Sequence, residues 1–257
     1  MGQYYTKINT LYKRYGVEES ERSHPLKNCI KIGEYSEPET EVLKDLKWEC
    51  TEKIDGTNMS VHLIPEYKHL YDALGNPLPL VDTTTVIDYK MEIHGKTENA
   101  NTPKHLQARM EELFNKEKLI EVFTKNGIAP TQTIEVFGEG YGQKIQKGGN
   151  YIKDGVDFIL FDVKIGKFWL TREACEDIAK KLGVKIVPLV GYMTIPEAEE
   201  YVKKGFKSNI AENKDYDAEG LVCKAPCGLL KRNGDRLITK IKTCDYRDLE
   251  RKLKNMK

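Results

Sequence analysis

The stretch ECTEKIDGTNMS, residues 49–60, decides the fold, because it places a lysine in a polar, turn-prone segment between two predicted strands. The flanking residues 48–52 and 59–64 are rich in aromatic, β-branched and other apolar side chains, which favour a pleated, half-buried surface. Gly56 relieves steric crowding in this segment and lets a ligand approach the backbone. The sequence therefore predicts that Lys53 is held close to whatever lies over the sheet.

Outward from this loop, the chain alternates predicted strands with short helices. Further strands are predicted within residues 83–95, 131–142, 156–170, 185–190, 218–224 and 236–243. Helices are predicted within residues 102–127, 171–183, 194–205 and 245–254. This order lacks the regular βαβ rhythm of a Rossmann protein, and the sequence has no GxGxxG or Walker loop. The pattern indicates an α+β fold built on antiparallel sheet.

Length and composition are those of an ordinary globular enzyme. The chain has 257 residues, of which 39% are hydrophobic and 32% charged, and a formal net charge of +1. Its charge is uneven, because the segment from Cys223 onward is distinctly basic and suits a polyanion. The polar N-terminus, the lack of a long apolar run and six cysteines without a paired framework predict an intracellular, cytoplasmic protein with no membrane segment.

Two glutamates and two further lysines stand in marked settings. Glu139 lies in FGEGYG, at the glycine-flanked end of an apolar strand, and Glu219 precedes the strand in AEGLVCK. Lys240 and Lys242 alternate on one face of the predicted strand LITKIKT. An amine attacks only when it is unprotonated, and nearby positive charge favours that state, so these two lysines suit a partner role for Lys53. The alternative for the pair is a solvent-facing edge strand whose lysines deter aggregation.

The chain resembles the covalent nucleotidyltransferase superfamily of ATP-dependent ligases and mRNA capping enzymes. Within that superfamily it is most similar to RNA end-joining ligases of the RNA ligase 2 type, many of them viral. Six signature elements appear in order: EKIDGTN, EIHGKTENANTPKHL, FGEGYG, FILFDV, EGLV and KIK. The resemblance implies an antiparallel-sheet nucleotidyltransferase domain of the ATP-grasp-like ligase adenylation type, with Lys53 as the nucleophile.

The resemblance also implies the reaction. Lys53 attacks the α-phosphorus of ATP and takes AMP, which passes to the 5′-phosphate of an RNA strand before a 3′-hydroxyl seals the joint. Phosphoryl-type transfer asks a protein mainly for positioning and charge neutralisation. Mg²⁺, or Mn²⁺ in its place, is implied as the metal cofactor. The implied partners are RNA ends, with DNA strands and an accessory protein as open possibilities, and the expected state is a monomer in the cytoplasm, that of the host cell for a viral protein.

The implied roles fall on named residues. Those assigned to nucleotide binding are Glu52, Ile54, Asp55, Gly56, Asn58, Lys96, Glu139, Phe158, Glu219 and Lys224. Glu52 is expected to contact the adenylate, Phe158 to stack on adenine, and Asn58 to position the phosphates. Lys96 stands where the family pattern has arginine, an exchange that is not neutral at a bidentate phosphate site.

Charge neutralisation and metal binding complete the implied site. Glu139 and Glu219 are expected to hold the metal, mainly through its water shell. Lys240 and Lys242 are the further catalytic residues, and together with Lys224 they are expected to neutralise the triphosphate.

The domain prediction is one nucleotidyltransferase domain over residues 1–257, with an N-terminal extension over about residues 1–47 and a short basic C-terminal helix. Neither a separate oligonucleotide-binding domain nor a large C-terminal domain is expected. Three alternatives stay open beside an ATP-dependent RNA ligase: a compact DNA or mixed-strand ligase, a GTP-dependent capping guanylyltransferase, and an inactive module that binds nucleotide or RNA ends.

Overall fold

The structure is a computed structural model that describes residues 5–68, 86–97, 101–146 and 151–256. In chain order its strands are β1 (Asn9–Thr10), β2 (Tyr12–Arg14), β3 (Ile30–Tyr35), β4 (Trp48–Lys53), β5 (Thr57–Tyr67), β6 (Val86–His94), β7 (Ile134–Gly142), β8 (Val156–Ile165), β9 (Phe168–Trp169), β10 (Lys185–Ile186), β11 (Leu189–Met193), β12 (Gly220–Lys224) and β13 (Ile238–Lys242). Its α-helices are α1 (Pro38–Val42), α2 (Lys104–Leu113), α3 (Lys116–Phe123), α4 (Arg172–Leu182), α5 (Ile195–Lys204) and α6 (Thr243–Asn255).

The described residues divide into two compact units. The first unit draws on Met1–Tyr5, Gly56–Gly149 and Asp154–Ile186. The second unit draws on Thr6–Asp55, Asn150–Lys153 and Val187–Lys257. The boundary thus falls inside the KIDG run, and the single nucleotidyltransferase domain predicted from the sequence stays a prediction.

The first unit is built on one six-stranded sheet. Its strands follow the order β10-β8-β7-β5-β6, with β9 added beside β8. The long strands β5, β6, β7 and β8 are antiparallel to their neighbours, while the short β10 runs parallel to β8. Alternate side chains of the sheet pack against α2, α3 and α4 to form an apolar core that includes Val61, Val136 and Leu160.

The second unit is built on a five-stranded sheet and a small hairpin. The strands of the sheet follow the order β1-β13-β12-β4-β11, and β2 pairs with β3. All pairings in the sheet are antiparallel except that of β1, which runs parallel to β13. A second core, which includes Trp48, Leu221 and Ile241, packs the sheet against α5 and α6. The predicted α+β class with mainly antiparallel sheet is confirmed.

Local signals set several helix ends as predicted. Thr171 caps α4 by accepting a hydrogen bond from the backbone N–H of Ala174 at 3.4 Å, and Gly183 ends the helix with a left-handed φ of 67°. Thr194 and Glu197 form a capping box at the start of α5.

The helix predicted over residues 102–127 is wrong in one respect, because the structure has two helices there. Phe114 and Asn115 are extended, and the Asn115 side chain accepts a hydrogen bond from the backbone N–H of Lys118 to start α3. At the other end Pro103 occupies the capping position of α2, with no side-chain cap. Asparagine competes with the helix backbone for hydrogen bonds, which explains the break.

Over the described part of the chain, no helix combines the length and apolar character that crossing a membrane demands.

Candidate active site

Lys53 is the last residue of β4 in the second unit, so it is anchored on a strand rather than carried by a loop. Gly220 of β12 pairs with Lys53 on one side and with Lys242 of β13 on the other. Residues directly opposite each other in antiparallel strands have side chains on the same face. Lys53 and Lys242 therefore lie on one face of this sheet, two strands apart.

Two more predicted lysines lie on that face. Val222 of β12 pairs with Lys240, and Lys224 pairs with Glu49 of β4. Alternation along each strand places these residues on the side of Lys53, opposite the core. We call this surface the lysine face, and it carries Lys53, Lys224, Lys240 and Lys242. Strand β1 pairs with the outer side of β13 at Lys240, so Lys240 does not lie on the edge of the sheet. The alternative interpretation required an edge position for this lysine.

Glu219 joins two of these lysines. Its Oε2 lies 2.5 Å from the Nζ of Lys53, and its Oε1 lies 2.5 Å from the Nζ of Lys242. The three side chains are between 15% and 26% exposed, so water screens these pairs less than it screens surface pairs. Burial alone lowers the pKa of Lys242, but the hydrogen bond and charge of Glu219 outweigh it and raise that pKa. Lys242 therefore keeps its positive charge on the lysine face.

Gly220 has a steric reason to be glycine. Its φ is +151°, and a Cβ atom at this position would lie 2.0 Å from the carbonyl oxygen of Ile241. A side chain here would therefore push β12 and β13 apart, and Glu219 would lose its position between the two lysines.

A further ion pair lies on the lysine face. Lys224 and Glu49 lie 3.9 Å apart and are each less than 20% exposed. Together with the contacts of Glu219 to Lys53 and Lys242, this ion pair holds lysine side chains in place on the lysine face. A cluster of lysines on one face of a sheet suits a polyphosphate or a nucleic-acid backbone.

Glu52 points the other way. It precedes Lys53 on the same strand, so alternation turns its side chain to the opposite face of the sheet, where it is 1% exposed. One carboxylate oxygen accepts from the Ser208 hydroxyl and the other accepts from the backbone N–H of Asn209 at 2.9 Å. Burial raises the pKa of Glu52, although these two hydrogen bonds act in the lowering direction. The structure thus gives Glu52 contacts within the protein, and its predicted contact with the adenylate stays a prediction.

Tyr151 supports the segment after Lys53. Ile54 is buried, and the backbone N–H of Asp55 donates to the Tyr151 hydroxyl at 3.3 Å. Tyr151 is fully buried in the second unit, where its ring packs edge-on against Tyr216 at 5.0 Å. Burial raises the pKa of Tyr151, which keeps its hydroxyl neutral. Sequence reasoning missed this residue, since no motif marks it.

In the first unit, the predicted residues Asn58 and Glu139 pair directly across β5 and β7. The Asn58 Oδ1 atom is buried and has no hydrogen-bond partner among the described residues. Gly56 lies flush against the neighbouring strand, since a Cβ there would be 2.3 Å from the Gly140 carbonyl oxygen and 2.7 Å from the Cγ of Glu139. The glycine of the KIDG run therefore permits close packing beside Glu139.

Phe158 lies in the core of the first unit. It is 0% exposed, packs edge-on against Phe114 at 5.2 Å between ring centroids, and covers the Cα of Gly138. Its ring is enclosed by protein, so the predicted stacking on adenine needs an opening of this core and stays a prediction. Lys96, by contrast, is exposed just after β6.

Several cations of the basic C-terminal segment have partners within the protein. Ion pairs at 2.8–3.1 Å join Lys231 to Glu37, Arg247 to Asp217 and Arg251 to Asp248. Lys252 donates to the backbone carbonyl of Lys27 at 2.6 Å. These contacts reduce the charge available to a polyanion, and the predicted RNA grip of this segment stays a prediction.

Comparison with known proteins gives a family and a fold. The sequence model of a family described as RNA ligase matches residues 46–242. No curated protein matches the chain. Solved structures of Naegleria gruberi RNA ligase are similar: a mutant with ATP and Mn has a TM-score of 0.52 and 21% identity over 84% of this chain and 54% of that one. A mutant with AMP and Mn has a TM-score of 0.51 and 22% identity over 83% and 54%. This chain thus spans about half the length of those ligase chains.

Proposed function

The chain belongs to the RNA ligase family, and from this premise we propose that it is an ATP-dependent enzyme that joins the 5′-phosphate and 3′-hydroxyl ends of RNA through AMP bound to Lys53. The observation that carries the proposal is the bridge of Glu219 between Lys53 and Lys242, on a face that also bears Lys224 and Lys240. A nucleophile surrounded by fixed cations is the arrangement that transfer of a nucleotidyl group requires.

The proposed reaction has three steps. The electron pair of the Lys53 amine forms a bond to the α-phosphorus of ATP, the bond to the β-phosphate oxygen breaks, and pyrophosphate and a proton leave. A 5′-phosphate oxygen of RNA then takes the AMP, and the lysine recovers its amine. Finally the 3′-hydroxyl attacks that 5′-phosphorus, AMP departs, and a phosphodiester remains.

Glu219 and Lys242 have distinct parts in the first step. The Lys53 amine must leave its ion pair with Glu219 before it attacks, and Lys242 offers the carboxylate a second cationic partner at 2.5 Å. The raised pKa of Lys242 means that its charge persists at neutral pH, where it stabilises the negative charge that develops on the phosphate oxygens. Lys240 and Lys224 are proposed to bind the outer phosphates.

The proposed metal is Mg²⁺ or Mn²⁺, and carboxylate chemistry fits it. Glu139 and Glu219 are the proposed holders of its water shell, and the buried Asn58 Oδ1 beside Glu139 is an oxygen acceptor that lacks a partner in the described structure. The metal supplies neutralisation of the triphosphate when it is bound. Each of these roles is proposed for one residue separately. Roles in nucleotide binding are likewise proposed for Asp55, Gly56, Lys96 and Phe158.

The test is covalent labelling. The protein is incubated with Mg²⁺ and α-labelled ATP or GTP, then denatured, and label that stays on the chain is measured. We expect label from ATP that is absent in Lys53→Ala and retained in Lys47→Ala, a control lysine six residues earlier whose partner is the exposed Glu197. No label from either nucleotide would favour a binding module, and label from GTP alone would favour a capping enzyme.

A second stage assigns the strands to be joined. RNA and DNA with 5′-phosphates are supplied as nicked duplexes and as single strands, and the sealed product is measured. Sealing of DNA alone contradicts the proposal and supports the compact DNA ligase. An accessory protein, the monomeric state and the cytoplasmic location remain predictions.

A further inference from the structure

Strand β11, at the edge of the five-stranded sheet, contains a bulge. Leu189 pairs with Thr51 and Tyr192 pairs with Glu49, while the register shifts between Leu189 and Gly191. In a regular strand, residues three apart have side chains on opposite faces. The extra residue at the bulge puts both Leu189 and Tyr192 on the side of Glu49, which is the lysine face.

The core confirms this orientation. Val190 and Met193 pack against the apolar core of the second unit, on the opposite side of the sheet. Tyr192 is 52% exposed and Leu189 is 38% exposed, which is unusual for large side chains of a short strand. Bulges frequently re-aim a side chain beside a functional site, and this one turns a tyrosine toward four lysines.

The residues around Tyr192 indicate which class of ligand this surface suits. Its row across the sheet continues through Glu49 to Lys224, and the pairing of those two at 3.9 Å offsets the negative charge next to the tyrosine. An exposed aromatic ring on the same face of a sheet as four lysines matches the way proteins hold single-stranded nucleic acid, with phosphates on cations and bases on aromatic faces.

We infer that Tyr192 stacks on a base of the RNA strand near the end that is joined, an inference that rests on the proposed function. Glu49 lies four residues before Lys53 on β4, so Tyr192 is displaced by about 13 Å along the strands and one strand spacing of about 5 Å to the side. That separation leaves room for the reacting phosphate at Lys53 and places the ring beside a neighbouring nucleotide.

The experiment measures affinity for a short 5′-phosphorylated RNA at several salt concentrations. Since a base stacked on an aromatic side chain contributes about 1–3 kcal/mol, we expect Tyr192→Ala to bind about 10-fold more weakly, and Tyr192→Phe and Tyr192→Trp to bind almost as well as the parent. The salt dependence should keep its slope in Tyr192→Ala, because stacking releases no counterions. Phe168→Ala, which removes an exposed aromatic from a strand of the first unit, is the matched control.

RNAs with one abasic position identify the nucleotide. At the stacked position, the abasic change and Tyr192→Ala should not be additive, whereas elsewhere their effects should add. Additive effects at every position would overturn the inference, as would equal losses in Tyr192→Phe and Tyr192→Ala, which would indicate a hydroxyl contact instead.

Covalent labelling separates this inference from the proposed function. We expect Tyr192→Ala to take label from ATP with an unchanged KM. A raised KM for ATP would assign the ring to adenine and overturn the RNA assignment. If the parent protein takes no label, the proposed function fails, while a parent that labels and a Tyr192→Ala variant that binds RNA normally would overturn the stacking inference alone.

Discussion

The two sheets hold their predicted site residues in contrasting environments. On the sheet of the second unit, Lys53, Glu219 and Lys242 form a chain of ion pairs on the face away from the core. On the sheet of the first unit, Asn58 and Glu139 lie side by side, and Phe158 belongs to the core. The difference teaches that predicted site residues can lie on an open face or inside a core, so we expect substitutions of Lys53, Glu219 and Lys242 to change activity and substitution of Phe158 to change stability.

The largest effect is expected from Glu219→Gln in the second unit. The amide cannot form ion pairs with Lys53 and Lys242, so the proposed nucleophile Lys53 loses its positioning, and Lys242 loses the partner that holds it beside the proposed site of negative charge. We expect the rate of covalent labelling to fall by about 100- to 1,000-fold, the range seen when one fixed electrostatic partner is removed. Asp217→Asn, which changes an exposed acid paired with Lys207 and Arg247, is the control and should label normally. Comparable rates in the two variants would remove Glu219 from the chemistry.

The second effect concerns the stability of the first unit in acid. Burial lowers the pKa of His62 to about 4 from 6.5. Below pH 6.5 His62 is protonated in the unfolded chain but stays neutral in the folded state. The free energy of unfolding therefore decreases as the pH falls from about 6.5 to 4. A shift of this size corresponds to a loss of about 3 kcal/mol of unfolding free energy over this pH range.

Denaturant unfolding between pH 7 and 4 measures this loss. His62→Gln should flatten the pH dependence, and His105→Gln, at an exposed position of α2, should leave it unchanged. His94, Glu92 and Lys164 also act on His62, and His94 is close enough for edge-on ring contact at 4.8 Å. A profile that His62→Gln does not alter would assign the acid sensitivity to another group.

The third effect separates two roles of Phe158. If Phe158 is only a core residue, the Phe158→Leu variant should have about 1 kcal/mol less unfolding free energy than the parent, and its KM for ATP in the labelling reaction should be unchanged. If Phe158 stacks on adenine, the Phe158→Leu substitution should instead raise the KM for ATP. Unfolding and labelling measured on the same variant decide between them, and a raised KM with normal stability would show that the core opens to admit adenine.

The smallest effect is expected at Glu52. Because its pKa is raised in the folded state, Glu52 contributes stability below the ordinary carboxyl pKa of 4.5, and this contribution is lost as the pH rises through the raised value. Gln is neutral at every pH and keeps an acceptor for the Asn209 N–H. The unfolding free energy of the parent relative to Glu52→Gln should therefore decrease as the pH rises. A difference that grows with pH contradicts the direction of the shift.

The sequence predicted most of the second sheet for a physical reason. Strand alternation is strictly two residues, so Lys240 and Lys242 had to share a face, and the motif around Lys53 placed it beside them. The same rule applied to WECTEK turns Glu52 away from Lys53. The predicted contact of Glu52 followed the family resemblance rather than this periodicity.

Features that depend on distant contacts were beyond sequence reasoning. The bulge that turns Tyr192 depends on its pairing with β4, and Tyr151 reaches Asp55 across 96 residues of chain. Burial of Phe158 depends on α2 and on Phe114, where the predicted single helix is broken. Periodicity reports the direction of a side chain but not which distant segment covers it.

The pairing of β1 with β13 has a consequence for how the protein is made. Asn9 lies beside Thr239 and Thr10 beside Lys240. The edge strand β1 therefore pairs with a strand that is synthesised some 230 residues later. We expect this sheet to stay incomplete on the ribosome until residue 242 has emerged, since Lys242 follows the residues that pair with β1. The order of synthesis therefore sets when the ion pairs of Glu219 with Lys53 and Lys242 can form.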